Sequence, residues 1–388
     1  MALSPQETIH RQNLGALLRY VHLRGGTSRA ELTAGLGLNR STIRALATEL
    51  AAAGLVHEDL PPANGRAGRP SPVVRTNTSR CYAYALTIEV DRLRAACVGL
   101  GGQVLDSFTV RPSPGTGPEA TVDILGRLVR RLHTQAPDSG TLLGYGVAVA
   151  GTARDAWTDP GVEAALVEAL PHDRPLLVGN LADLAARAEH VRGAARGLDN
   201  VVFLHGDTGI SAGIITGGRA ATGHGGFGGQ VGHMVVDPDG HRCRCGSRGC
   251  WETEAGEAAL LRTSEAGEAA LLRTSEAGAL AVVAAARSGD DKAQSTVREV
   301  ARWLGHGVAN LVNILDPEIV LFGGVLREIY LAAADDVRER VSGMVLPAFR
   351  EGVRLGVPLL GADAPLVGAA ELAFEHLLAD PLSATQPA

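Results

Sequence analysis

The chain has 388 residues, of which 45% are hydrophobic and 20% are charged, and its formal net charge is −6. This length exceeds what one hydrophobic core usually serves, so two or three domains are expected. The hydrophobic content excludes a largely disordered protein. No apolar run reaches the ~18 residues of a membrane span, and polar residues interrupt the first twenty positions where a signal peptide needs an apolar segment. We therefore expect a soluble, cytoplasmic protein with no membrane partner.

The charge is unevenly distributed along the chain. Residues 1–80 contain ten Arg and five acidic residues, whereas the remaining residues contain 26 basic and 37 acidic residues. A basic first segment on an acidic body indicates that only the first segment meets a polyanion. We predict a domain boundary here, with one domain at 1–80 and another at 81–388.

Three short helical patterns occupy the first part of the chain. The first stops at Gly25-Gly26, the second begins after Ser28, and the third begins after Asn39 and ends near Gly54. Ser and Asn are preferred N-cap residues, and a helix, a tight turn and a second helix form a helix-turn-helix. The start of the third helix would present four residues to base edges and phosphates: Arg40, Ser41, Thr42 and Arg44.

Two strand patterns, at 55–58 and 72–75, flank a loop rich in Pro and Gly that contains Arg66 and Arg69. This pattern is typical of a wing, and arginines on a hairpin tip suit a narrow minor groove or flanking phosphates. The alternative is a winged helix used for protein contacts. The arginine positions favour binding to double-stranded DNA.

The rest of the chain alternates strands and helices. The patterns lie at 82–88, 93–98, 103–106, 119–135, 142–150, 201–205, 292–314 and 319–322. They predict an α/β body, organised in two lobes and beginning with a three-stranded meander. The glycine-rich stretch Gly206–Gly213 either cradles a phosphate or serves turn geometry, since glycine turns do both.

A dense cluster of potential metal ligands follows. It has the spacing His-x9-Cys-x-Cys-x4-Cys and consists of His233, Cys243, Cys245 and Cys250. One imidazole and three thiolates satisfy the four-coordinate preference of structural Zn²⁺ and leave no position for a catalytic water. The alternative is a set of reduced, unmetallated thiols.

An exact duplication lies further along the chain, because residues 254–264 recur at 265–275. Eleven residues is close to three helical turns, so the second copy would lengthen a helix by about 16 Å with its faces nearly in phase. We interpret it as a tolerated duplication without a function of its own.

Together these features resemble the ROK family, which contains repressors and sugar kinases. The resemblance rests on the winged helix, Gly206–Gly213, the run Gly229–His233 and the Cys-x-Cys-Gly-x-x-Gly-Cys-Trp-Glu segment that ends at Glu252. It implies an actin/hexokinase-like (ribonuclease H-like) body of two lobes, a dimeric or tetrameric assembly, and a sugar in the cleft. Members with a winged helix are similar to regulators of sugar metabolism.

Two departures from the family separate regulator from kinase. Where the kinases have the phosphate loop Asp-Ile-Gly-Gly-Thr, this chain has Thr87–Asp91, whose carboxylates would repel phosphate. Where they have the catalytic Asp of Glu-Asn-Asp, this chain has Leu181, which cannot accept a proton from a sugar hydroxyl. We therefore predict that the protein is not an enzyme and has no catalytic residues.

The resemblance also implies a set of ligand-binding residues: Gly151, Asn180, Gln230, His233 and Glu252. Gln230 stands where the family has Glu, which keeps an acceptor but removes a charge. The predicted effector is a sugar, a modified sugar or a sugar phosphate.

The predicted function is a homodimeric or tetrameric transcriptional regulator of carbohydrate metabolism, of the repressor kind, that binds an inverted-repeat operator. Two alternatives stay open. One is an ATP-dependent sugar kinase fused to a winged helix, and the other is a constitutive DNA-binding protein whose sugar cleft is vestigial.

Overall fold

The structure is a computed structural model, and it describes residues 4–60, 71–113, 115–136, 140–151, 160–171, 174–263, 276–350 and 352–382. The predicted wing residues Arg66 and Arg69 and the second copy of the duplication lie outside these ranges. The bounds of the elements below refer to the described residues alone.

The N-terminal segment, in its described residues 4–60 and 71–76, contains three helices and one three-stranded sheet. Its helices are α1 (Pro5–Arg24), α2 (Arg29–Leu36) and α3 (Arg40–Ala52). Its strands β1 (Thr27–Ser28), β2 (Val56–Asp59) and β3 (Val73–Thr76) form an antiparallel sheet in the order β1-β3-β2. Ser28 and Asn39 cap α2 and α3 as predicted, each accepting a hydrogen bond from a backbone N–H of the first turn.

The first lobe of the body contains a five-stranded sheet with the order β6-β5-β4-β7-β8. Its elements are β4 (Cys81–Ile88), β5 (Leu93–Gly99), β6 (Gln103–Val110), α4 (Pro118–His133), β7 (Thr141–Val149), α5 (Pro160–Ala169), β8 (Leu176–Asn180) and α6 (Leu181–Arg192). The predicted meander β4–β6 is antiparallel, and β7 and β8 continue the sheet in parallel with β4.

The second lobe contains another five-stranded sheet, with the order β11-β10-β9-β12-β13. Its elements are β9 (Val201–Gly206), β10 (Ile210–Thr216), β11 (Arg219–Ala220), α7 (Trp251–Ala255), α8 (Glu257–Thr263), α9 (Glu276–Arg287), α10 (Asp291–Leu315), β12 (Ile319–Gly324), α11 (Val325–Ala332), α12 (Ala334–Met344) and β13 (Arg354–Gly356). Here too an antiparallel meander is continued by two parallel strands. The helix that follows these elements, α13 (Ala364–Ala379), packs mainly against the first lobe. Two lobes built on one topology form the actin/hexokinase-like fold that the family resemblance implies.

The last helix, α13, connects the parts of the molecule. It packs against β7, β4 and α6 of the first lobe and against α1 of the N-terminal segment. Leu14 and Leu18 of α1 therefore share one apolar core with Leu366 and Phe374 of α13. Among the described residues, no helix is both long and apolar enough to cross a membrane.

A glycine on β7 permits the close contact with α13. A Cβ atom added at Gly146 would lie 1.8 Å from the carbonyl oxygen of Ala369, which is backbone and cannot rotate away. We expect Gly146→Ala to lower the free energy of unfolding by about 3 kcal/mol, measured by urea denaturation, because overpacking forces elements apart. Gly343→Ala is the control: it lies in α12 with no atom near the added Cβ, so we expect no loss and a gain of up to about 1 kcal/mol.

Candidate functional site

The four predicted metal ligands come together in one cluster. One ligand atom from each of His233, Cys243, Cys245 and Cys250 lies within 4.8 Å of all the others. The Sγ atoms of Cys245 and Cys250 are 3.6 Å apart, and Cys243 Sγ is 3.7 Å from His233 Nδ1. A tetrahedron with metal–sulfur bonds of about 2.3 Å has edges of about this length. The cluster therefore has the size and the donor set of a four-coordinate metal site.

Local backbone geometry creates this cluster. Gly249 has a φ of +67°, and a Cβ there would lie 1.4 Å from the carbonyl oxygen of Asp237, so the chain folds back on itself only with glycine. The N–H of Val236 donates to the carbonyl of Gly249 at 2.9 Å and holds the two segments together. Trp251, which is fully buried next to the last ligand, donates from its indole N–H to the carbonyl of Trp303 on α10.

The thiols of the cluster have different surroundings. Burial raises the pKa of Cys243 to about 12, whereas the backbone N–H of Ser247 lowers the pKa of Cys245. Only the thiolate form ligates metal, so a bound cation would keep both sulfurs deprotonated.

Glu252 connects the cluster to a neighbouring cavity of about 400 Å³, called here the smaller cavity. The carboxylate is buried, accepts a hydrogen bond from Cys243 Sγ at 3.2 Å, and lies 3.7 Å from both His233 Nδ1 and Arg244 Nε. The described residues that line the smaller cavity are Ala150, Gly151, His205, Asp207, Gly209, Ile210, Ser211, Phe227, Gln230, His233, Arg244, Cys245 and Glu252.

Four of the five predicted ligand residues thus line one cavity, and Asn180 is not among its described lining residues. The side chain of Asn180 caps α6 instead, with its Oδ1 accepting from the N–H groups of Ala182 and Asp183 at 2.9 and 3.3 Å. Its role as a ligand residue stays a prediction.

The glycine-rich stretch Gly206–Gly213, which the sequence singles out, contributes Asp207, Gly209, Ile210 and Ser211 to the smaller cavity. Sequence reasoning missed Arg244, which brings a guanidinium, and Phe227, which is 61% exposed and brings an apolar ring. The cavity forms where the β9–β10 hairpin, the segment after β11 that contains Phe227 and the cysteine-containing loop 243–250 meet in space, and no sequence spacing encodes that meeting.

A larger cavity of about 570 Å³ lies beside the smaller one, and His205 lines both. The other described residues that line the larger cavity are Glu89, Arg92, Arg94, Phe203, Leu280, Val283, Ala284, Arg287, Gly323, Gly324, Arg327, Glu328, Pro358, Gly361, Ala362 and Pro365. Its arginines form ion pairs with acidic neighbours, for example Arg92 with Glu89 and Arg287 with Glu328.

Of the two stretches that depart from the kinase pattern, one reaches the larger cavity, and the other, at Leu181, is not among the described lining residues. Glu89 lines the larger cavity, and burial together with the nearby Asp207 raises the pKa of Asp91. The N–H of Val90 donates to the Asp207 carboxylate, so the β9–β10 hairpin tip contacts the first lobe. Leu181 is completely buried.

A third concave surface lies on the N-terminal segment. It has a volume of about 690 Å³ and is lined by Arg29, Ala30, Thr33, Arg40, Arg44, Thr48, Ser71 and Pro72. Arg40, Ser41 and Arg44 are exposed, whereas Ile43 and Leu46 of the same helix are buried. The Ser41 hydroxyl and the Thr42 N–H both donate to Asn39 Oδ1, at 2.6 and 2.8 Å. Helix α3 therefore presents a basic N-terminal face to solvent.

Comparison with known proteins yields one family and several relatives. The model of the ROK family matches residues 83–376 of this chain. The xylose repressor of Bacillus subtilis is 28% identical, over 97% of this chain and 99% of its own length. The structure of a ROK family transcriptional regulator, a homologue of the E. coli MLC protein, superimposes with a TM-score of 0.76 at 25% identity, over 97% of this chain and 99% of its own. The structure of a ROK family glucokinase from Streptomyces griseus in complex with glucose and AMPPNP superimposes with a TM-score of 0.63 at 29% identity. This match covers 75% of this chain and 98% of the glucokinase chain.

Proposed function

The chain belongs to the ROK family, and we propose that within it this protein is a sequence-specific DNA-binding transcriptional repressor of carbohydrate metabolism. The observation that carries the proposal is the extent of the similarity. The repressor and the regulator match 97% of the chain, whereas the glucokinase, almost complete, matches 75%. The winged helix that begins the chain is the part that a regulator needs and a kinase does not.

The basic face of α3 is the surface that would recognise DNA, and it is called here the reading head. Arg40 and Arg44, exposed near the start of the helix, are positioned to reach base edges or phosphates in the major groove. The wing residues Arg66 and Arg69 would contact the minor groove or flanking phosphates. Two copies of the chain, in a dimer or tetramer, would place two such heads on an inverted repeat of double-stranded DNA in the cytoplasm.

We propose that the body senses a ligand without phosphorylating it. Leu181 directly follows Asn180 where the kinases have their catalytic carboxylate, and a buried leucine side chain accepts no proton. Glu89 and Val90 stand where the kinase loop has its two glycines and Asp91 stands where it has Thr, and the carboxylates of Glu89 and Asp91 oppose a nucleotide phosphate. A kinase would release ADP when given ATP and a sugar, and we expect no release above the rate without sugar.

We propose that the His233–Cys250 cluster holds a structural Zn²⁺. Three thiolates and one imidazole fill a tetrahedral shell, so the ion would hold the loop in place and would not activate water. The same loop carries His233 and precedes Glu252, so the metal would also fix one wall of the smaller cavity.

The effector proposed for the smaller cavity is a sugar or a sugar derivative, and the amide of Gln230 gives a specific test. We expect one member of a sugar panel to raise the Tm of the wild type, since a ligand that binds only the folded state stabilises it by about 2.7 kcal/mol at a hundredfold excess over Kd. Gln230→Leu keeps the side-chain size and removes the hydrogen-bonding amide. We expect it to weaken binding about tenfold to a hundredfold, because a buried sugar hydroxyl loses its partner.

The control for this test is Gln294→Leu, which removes an amide from α10, outside both cavities. It should keep the wild-type Tm shift. A panel without any Tm shift would favour the constitutive DNA-binding protein with a vestigial cleft.

The experiment that tests the function is capture of genomic fragments from the source organism by the purified full-length protein. We expect enrichment of an inverted repeat upstream of a few genes for carbohydrate use. Absence of enrichment with and without sugars, together with sugar-dependent ADP release, would support the kinase instead.

A further inference from the structure

The winged helix is joined to the body by a buried ionic cluster, called here the joint, which consists of His22, Arg192 and Glu371. His22 comes from α1, Arg192 is the last residue of α6, and Glu371 lies in α13. His22 is 0% and Glu371 2% exposed. The joint therefore ties three helices together in the interior, between the first domain and the body.

Arg192 makes hydrogen bonds to both sides of this boundary. Its Nη1 donates to the backbone carbonyl of His22 and to that of Gly101 in the β5–β6 turn, at 2.7 Å each. Its Nε and Nη2 donate to Glu371 Oε1 at 2.8 and 2.6 Å. A planar guanidinium is the side chain that can make these four contacts at once.

His22 has polar contacts at both ring nitrogens. The Gly101 N–H donates to His22 Nδ1 at 2.9 Å, and His22 Nε2 lies 3.0 and 3.1 Å from the Glu371 oxygens and 2.5 Å from Arg192 Nη2. Burial lowers the pKa of His22, which agrees with a neutral ring. Burial alone would raise the pKa of Glu371, but contact with His22 and Arg192 outweighs it and lowers that pKa. The charged pair in the joint is therefore Arg192 with Glu371.

The two body helices of the joint are also attached to the wall of the larger cavity. The segment 358–365 forms part of that wall and runs directly into α13. Glu189, one turn before Arg192 in α6, is buried and accepts from the N–H groups of Leu359 and Leu360 at 3.0 and 2.8 Å. Arg94, which lines the same cavity, donates to the carbonyl of Ala362.

We propose that Arg192 is a positioning residue that holds the winged helix in one orientation on the body and so couples the state of the cleft to DNA binding. This role rests on the proposed function as a DNA-binding regulator. A change in the cavity wall would move α6 and α13, and Arg192 would transmit that movement to the backbone of α1. Two winged helices held in fixed orientations would favour one spacing of the operator half-sites.

The first test uses hydrogen exchange of the full-length protein and needs no DNA. In Arg192→Ala we expect the amide of Gly101 and the amides of α1 around His22 to exchange at least tenfold faster, while those of β9 keep their protection. Arg187→Ala is the matched control. Arg187 also joins α6 to α13, through Glu375 at 2.6 Å, but that pair is half-exposed and has no contact with the joint. We expect wild-type exchange there.

Removing one charge of a buried pair destabilises a fold, so a second variant separates positioning from folding. Arg192→Met combined with Glu371→Gln leaves no unpaired charge, and we expect the same faster exchange at Gly101 and α1. Equally faster amide exchange throughout the chain in both variants would show a purely structural role. Unchanged amide exchange in α1 would show that Arg192 does not hold α1 on the body. Either result overturns the proposal.

The second test measures operator binding as the half-site spacing is changed by two base pairs. We expect wild type and Arg187→Ala to prefer the natural spacing at least tenfold, and Arg192→Met/Glu371→Gln to lose most of this preference and the response to the effector. A double variant that keeps both the spacing preference and the response to the effector contradicts the proposal. If the wild-type protein binds no repeat, the proposed function fails. The exchange experiment still decides whether Arg192 holds α1 on the body.

Discussion

Replacing Arg40 and Arg44 together with alanine is expected to weaken operator binding about a hundredfold or more, with the fold intact. Both side chains are exposed on the N-terminal half of α3, while the residues that hold this helix in place, such as Ile43 and Leu46, face the core. Each arginine contact with a base or a phosphate contributes about 1–3 kcal/mol. The measurement is the Kd for the captured repeat at fixed salt, accompanied by the Tm of each variant.

The chain offers a matched control for this pair. Arg298 and Arg302 are also exposed, are also four residues apart on one helix, and lie in α10 of the body. Replacing them with alanine changes the net charge equally, and we expect operator affinity within about twofold of wild type. If both double variants lose affinity to the same degree, general electrostatic attraction explains the effect and α3 is not the reading head.

Removal of one ligand of the proposed zinc site is expected to have the largest effect on stability. Cys250→Ser should abolish stoichiometric zinc and lower the Tm by about 10 °C, because a structural Zn²⁺ contributes several kcal/mol or more to the folding of the segment that it closes. Cys250 is completely buried next to Trp251, so the loosened loop would also disturb the packing against α10. Metal content per chain and thermal unfolding measure the two consequences separately.

Cys97→Ala is the control, since Cys97 is a buried thiol in β5, outside the cluster. We expect it to keep one zinc per chain and to lose only the stability of a small core truncation. A Cys250→Ser protein that retained zinc and the wild-type Tm would contradict a structural metal site.

The parts of this molecule that the sequence predicts are those encoded by local patterns. Ser28 and Asn39 mark helix starts because their side-chain oxygens accept from N–H groups only two or three residues away. The His-Cys cluster is also local, spanning eighteen positions from His233 to Cys250. Asn180 shows where matching a family motif is insufficient. The resemblance assigns it to ligand binding, and in the structure its side chain caps α6.

The parts that the sequence does not predict depend on contacts between distant segments. His22 and Glu371 are 349 positions apart, and each looks like an ordinary residue of an amphipathic helix until α1 and α13 pack together. The larger cavity is assembled from several separate stretches of both lobes, so no motif marks it. A single sequence likewise does not show the close approach of β7 to α13 at Gly146. The space there is limited by the backbone of Ala369, which is 223 residues away in the chain.

The ratio of two dissociation constants tests most directly whether the protein recognises a DNA sequence. One is the Kd for the captured inverted repeat, and the other is the Kd for a shuffled repeat of equal length and composition, both at physiological salt. A sequence-specific regulator is expected to show a ratio of about 10³ or more. A ratio below about ten would mean that the basic first domain binds DNA only as a polyanion, which would contradict a role as an operator-specific repressor.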